Sequence, residues 1–175
     1  MHKLRDAPGD PEEDLKRRLE EIAGKGKVYV LGLGNTDRAD DGAGILVAEA
    51  LKKHFPRSAF SERDGVEGTV LDISERTEDS VVLFVDAADL KLPPGTIRIV
   101  QKDAIRDTEV TTHRVAVALM ASILKTRGKD SAVICIQPAS IEFTGEVTAS
   151  VSRAVSTLVR VLDGLMSLRD ADDAS

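Results

Sequence analysis

Three side chains in this sequence are of the types that hold or activate a reacting group: Asp41, Asp86 and His113. Two carboxylates and an imidazole make a borderline-hard donor set, suited to a divalent transition metal such as nickel, zinc or manganese, with positions left open for an exchangeable ligand. Asp41 and Asp86 alone would also suit an aspartic dyad, in which two close carboxylates share a proton. Neither, however, stands in the Asp-Thr/Ser-Gly setting of that protease class. The plainer reading, which the residues alone favour, makes Asp86 a turn residue at a strand end and His113 a helix-start residue paired with a carboxylate. Other chemistries are poorly served. There is no H-E-x-x-H and no G-x-S-x-G. Gly32, Gly34 and Gly42 have the wrong spacing for a dinucleotide fingerprint, and no P-loop lysine follows them. Cys135 lies in the apolar run Val-Ile-Cys-Ile and reads as core.

The three residues can act together only if the fold brings them to one edge. Val28 to Leu31 is an apolar run of β-forming residues stopped by Gly32 and Gly34, so a strand that turns sharply is expected. From Ala43 the residues suit a helix, with Ala43, Val47, Ala50 and Leu51 able to share a face. Asp40 and Asp41 then fall at the helix start, where capping and the helix dipole favour carboxylates whether or not they bind a ligand. Position favours a ligand, because loops at the carboxyl ends of strands form the crevice of open α/β sheets. Ser80 to Val85 is apolar enough to be a central strand covered on both faces, and it ends in Asp86. If it runs parallel to the first strand, both carboxylates arrive at the same edge. Thr111-Thr112-His113 opens a helix to about Thr126, with Gly128 as its stop.

The remaining elements complete an α/β pattern. Asp10-Pro11-Glu12-Glu13 starts a helix carrying Leu15, Leu19 and Ile22, with Glu12 and Glu13 four residues before Lys16 and Arg17, and Gly24 ends it. Packing on its own domain is expected. His54, before Pro56, reads as a helix-end cap. Ser58 to Glu62 is a short strand, Arg63-Asp64-Gly65 a turn, and Val66, Thr69, Val70 and Ile73 mark a helix. The link Ala87 to Pro94 is too short for a helical crossover, so the strand Gly95 to Val100 is expected to pair antiparallel with Ser80 to Val85. Ala132 to Ile136 is a buried strand, and Val147 to Leu168 a long amphipathic helix. The expected architecture is a three-layer αβα sandwich, with a mixed, mostly parallel five-stranded sheet and helices on both faces. Residues 1–26 form an N-terminal tail and helix, 27–168 one α/β domain, and 169–175 a polar tail.

With 175 residues, the chain suits one domain of ordinary soluble composition. A net charge of −6 sets nucleic acid aside as a partner. A single cysteine excludes an internal disulfide, no apolar run would insert in a membrane, and the N-terminus lacks a signal-peptide pattern, so a cytoplasmic location is the default expectation. With one Tyr, four Phe and no Trp, the core must be aliphatic.

The motifs GLGNTDRADDGAG, DGVEG, VDAAD followed by PPGT, TTH and IQP resemble those of the hydrogenase maturation endopeptidases, and most closely the group that processes the hydrogenase of formate hydrogenlyase. The likeness runs from Val28 to about Leu165 and leaves out the N-terminal helix. It implies an endopeptidase that removes a C-terminal extension from the nickel-loaded precursor of a nickel–iron hydrogenase large subunit. It also implies that Asp41, Asp86 and His113 are the metal-recognition and catalytic residues. Nickel would be carried by the substrate and bound transiently, with Asp41 or Asp86 able to assist a water. Asp64, in DGVEG, matches an acidic position near the cleft and is equally explained as a turn cap. The enzyme would be a monomer or weak oligomer. Two other readings stay open: a non-catalytic metal-binding or scaffold protein of the same fold, and a metallohydrolase with its own bound metal.

Overall fold

The apolar run that opens the sheet is covered on both faces. It forms β1 (Lys27–Gly32), in which every residue after Lys27 is buried. The computed structural model describes residues 10–101 and 114–173. Four further strands, β2 (Ala59–Ser61), β3 (Ser80–Ala87), β4 (Ile97–Gln101) and β5 (Asp130–Ile136), join β1 in one sheet of order β2-β1-β3-β5-β4. β2, β1, β3 and β5 are parallel, and β4 runs antiparallel to β5.

Helices α1 (Pro11–Ala23), α2 (Ala43–Lys52) and α5 (Ala149–Asp173) cover one face, and α3 (Val66–Glu75) and α4 (Arg114–Thr126) the other. Side-chain alternation along the strands divides the core accordingly. Val30, Leu83 and Ile134 meet Leu19, Val47, Leu51, Leu158 and Leu162 on the first face. Tyr29, Leu31 and Phe84 meet Val70, Ile73, Val117 and Leu124 on the second. The expected three-layer sandwich is therefore formed. Among the described residues no helix is long and apolar enough to cross a membrane.

The structure corrects several local expectations. β4 does not neighbour β3, because β5 enters between them. Strand direction followed from the short link, but adjacency did not, since eight residues can step over the end of an intervening strand. Gln137, just past β5, organises that step: its backbone pairs with Gly95 and Thr96, and its Oε1 accepts from Leu90 N at 2.6 Å and Leu92 N at 3.3 Å. The polar residues from Arg169 onward continue α5 to Asp173 instead of forming a tail. Asp10 caps α1 through Glu12 N as expected, but Glu12 pairs with Arg160 of α5 and Arg17 with Asp14 and Glu21. The i,i+4 partners Lys16 and Arg17 are passed over because docking on α5 offers Glu12 a two-pronged guanidinium. His54 meets Asp163 of α5 at 2.7 Å. Residues 1–9 lie outside the described part.

Candidate functional site

Three glycines decide how the loop after β1 meets the end of β3. A Cβ on Gly44 would lie 2.1 Å from the Val85 carbonyl oxygen and 2.3 Å from that of Leu33, and one on Gly32 would lie 2.1 Å from the Gly44 carbonyl. The first turn of α2 is thus seated directly on the ends of β1 and β3, which Leu33 N and Val85 O join by a 2.8 Å hydrogen bond. Gly34, at φ +128°, lets the returning chain bring the Asp41 carbonyl to the place its own Cβ would occupy. The turn Ala39–Gly42, which carries Asp41, consequently packs against β3. Gly44→Ala should force the helix off the strand ends and cost on the order of 2–3 kcal/mol, as overpacking of a closed contact does. A thermal melt checks this, with an expected loss of roughly 4–12 °C.

Asp41 is half-buried and lines an open polar pocket of about 410 Å³ with Asn35, Arg38, Glu62 and Arg63. Asp86 is the penultimate residue of β3 and only 3% exposed. It stands in register with Cys135 of β5, which stands in register with Arg98 of β4, so these three side chains share the face covered by α3 and α4. Burial, aided by the charge of Asp86, pushes the Cys135 thiol up to about 12. Cys135 is accordingly inert core, and its alkylation at pH 8 should begin only when the protein is unfolded; modification of native protein would contradict this.

Asp41 and Asp86 thus arrive at one edge of the sheet. His113 lies outside the described residues, as do Thr111 and Thr112; the next residue, Arg114, begins α4 on the face that Asp86 shares. Among the described residues no three His, Cys, Asp or Glu side chains are grouped closely enough to hold a metal ion.

Sequence reasoning missed the role of Asp40. It does not cap the helix that follows it. Its fully buried carboxylate accepts from Ala139 N (2.8 Å), Ser140 N (3.0 Å), Thr148 N (2.7 Å) and the Thr148 hydroxyl. Burial alone would raise its pKa, but these donors outweigh it and hold the carboxyl below the ordinary value. Backbone bonds from Asp40 N to Ser140 O and from Thr144 N to Asp37 O complete the latch. Ala39 sits at φ +45° inside it, a conformation that the surrounding contacts impose. Asp40 therefore fixes the loop that presents Asp41.

Glu62 was also missed. It accepts from Gly34 N at 2.9 Å, while Arg63 donates to the Thr36 hydroxyl at 3.1 Å, so the turn Glu62–Asp64 holds the rim of the Asp41 pocket. Asp64 itself pairs with Lys52 and caps Ser61 N, which lowers its pKa. Its turn-cap role is realised.

Residues 45–163 match the family model for hydrogenase maturation proteases. The chain is 33% identical over 138 residues to the hydrogenase 3 maturation protease of Escherichia coli K12, covering 77% of this chain and 88% of that protein. It is 28% identical over 145 residues to the hydrogenase expression/formation protein HupD of Thiocapsa roseopersicina, and the match spans 77% of this chain and 65% of HupD, just under two thirds. Among solved structures, the NiFe hydrogenase maturation protease HycI of Thermococcus kodakarensis KOD1 superposes with a TM-score of 0.72 at 27% identity, covering 86% of this chain and 99% of that one.

Proposed function

The chain belongs to the hydrogenase maturation protease family, and from that premise we propose that it removes the C-terminal extension of a nickel-loaded NiFe hydrogenase large-subunit precursor, recognising the substrate's nickel through Asp41, Asp86 and His113. The observation that carries this reading is the seating of the Asp41 loop on the end of β3 at Val85, one residue before Asp86. Two carboxylates and one imidazole make a weak and incomplete donor set, so the ion keeps positions for the substrate's own ligands. Such a set reads whether the substrate is loaded.

The two acids divide the work according to their surroundings. Asp86, buried near the end of β3, is held in place by the strand's backbone. Asp41, opening on the polar pocket, is the better placed to take a proton from an attacking water. Arg38 and Arg63 on the same pocket supply donors for the carbonyl of a bound peptide. We place the reaction in the cytoplasm, the compartment that the absence of a disulfide and of a signal-peptide pattern suggests.

The test uses purified protein, a NiFe large-subunit precursor with and without nickel, and the mass of the precursor's C-terminus. Shortening of the loaded precursor alone is expected. An unchanged mass in both would overturn the assignment. Metal analysis of the isolated protein should find little retained nickel, whereas a stoichiometric ion would point to a metallohydrolase with its own metal.

A further inference from the structure

A second cleft, of about 500 Å³, lies away from the Asp41 pocket, between α1, the edge strand β4 and the first turns of α5. Its floor is apolar, with Leu15 and Ile99 each 8% exposed and Ala154 6%. Two arginines stand around it, Arg18 from α1 and Arg153 from α5, and Arg98 borders it only as part of β4, its side chain being on the face of α3 and α4. Two acids also line it, but both are already engaged. Glu12 is held by Arg160 through two hydrogen bonds, and Asp14 by Arg17. Arg18 and Arg153 have no carboxylate partner among the described residues.

A chain of net charge −6 thus places beside one groove two arginines that have no carboxylate partner among the described residues. No described strand pairs with the outer edge of β4, so its outward backbone groups have no strand partner among the described residues. An extended acidic segment of polypeptide would satisfy both the open strand edge and the arginines. The groove also begins at Pro94–Thr96, beside the end of β5, at the sheet edge where β3 brings Asp86.

We propose that this cleft takes an extended acidic segment of the precursor polypeptide along the outer edge of β4, with carboxylates on Arg18 and Arg153. This rests on the precursor being the substrate. Arginine suits the role, because its planar fork grips carboxylates in pairs. The contact is a holding site remote from the peptide bond that is cut.

The experiment compares full-length protein with its Arg18→Glu/Arg153→Glu variant, using nickel-loaded precursor over a range of concentrations. The half-saturating precursor concentration should rise about tenfold or more, with the maximal rate unchanged, as expected when electrostatic capture is lost. Raising salt should weaken capture by the parent and leave the variant nearly insensitive. The milder Arg18→Gln/Arg153→Gln pair should fall between the two. Arg127→Glu, at the far end of α4, should change nothing. Equal concentration dependence for parent and variants, with equal melting temperatures, would overturn the cleft and leave the proposed activity standing. Failure of the parent to cleave at any concentration would overturn both.

Discussion

Asp40→Ala is expected to lower the stability of the protein by on the order of 3 kcal/mol, because removing one carboxylate strands a group of donors together. The N–H groups of Ala139, Ser140 and Thr148 and the Thr148 hydroxyl all point at it. The contribution depends on pH in a defined direction. The folded-state pKa lies below the ordinary value of 3.8, so the stabilisation is complete above that value and lost as the pH falls through the folded pKa. The gap between parent and variant should be widest near neutrality and narrow below pH ~4. Thermal melts across that range check it, and a gap independent of pH would show that packing, not the charged latch, is responsible. Activity should fall too, since the latch holds the loop that presents Asp41.

Asp86→Asn is the second large effect, and it falls on activity, not on stability. The substitution keeps the shape of the side chain at the end of β3 and removes its charge. Processing of the nickel-loaded precursor should fall about a thousandfold, as when a preorganised electrostatic group is lost from a reacting centre. Far-UV circular dichroism and cooperative melting should be retained. Asp41→Ala should behave in the same way, so that two adjacent aspartates give opposite phenotypes: Asp40 chiefly stability, Asp41 chiefly activity. A variant of Asp86 that processes at the parent rate would remove it from the site.

How much of this could be read from the sequence follows from the range of the interactions involved. β1 and β3 declared themselves through unbroken apolar runs, and the helix of Val66, Val70 and Ile73 through its period, because those signals are local. The arrival of Asp41 and Asp86 at one edge followed from strand direction alone. Strand neighbours are different: nothing between Ala87 and Pro94 says that β5, more than 30 residues later, will enter between β3 and β4. Asp40 shows the same limit at the site. Beside Asp41 it looked like a second helix-start acid, while its partners lie about 100 residues away. Glu62 gave no signal either, since its partner is a backbone N–H, which every sequence contains.

The central claim is that Asp41, Asp86 and His113 read the nickel of the substrate, and binding tests it more directly than cleavage. The measurement is the dissociation constant of the complex with nickel-loaded and with nickel-free precursor, for the parent and for each single alanine variant. The parent should prefer the loaded form strongly, and each variant should lose most of that preference while still binding the nickel-free form as the parent does. Variants that distinguish the two forms as well as the parent would contradict it.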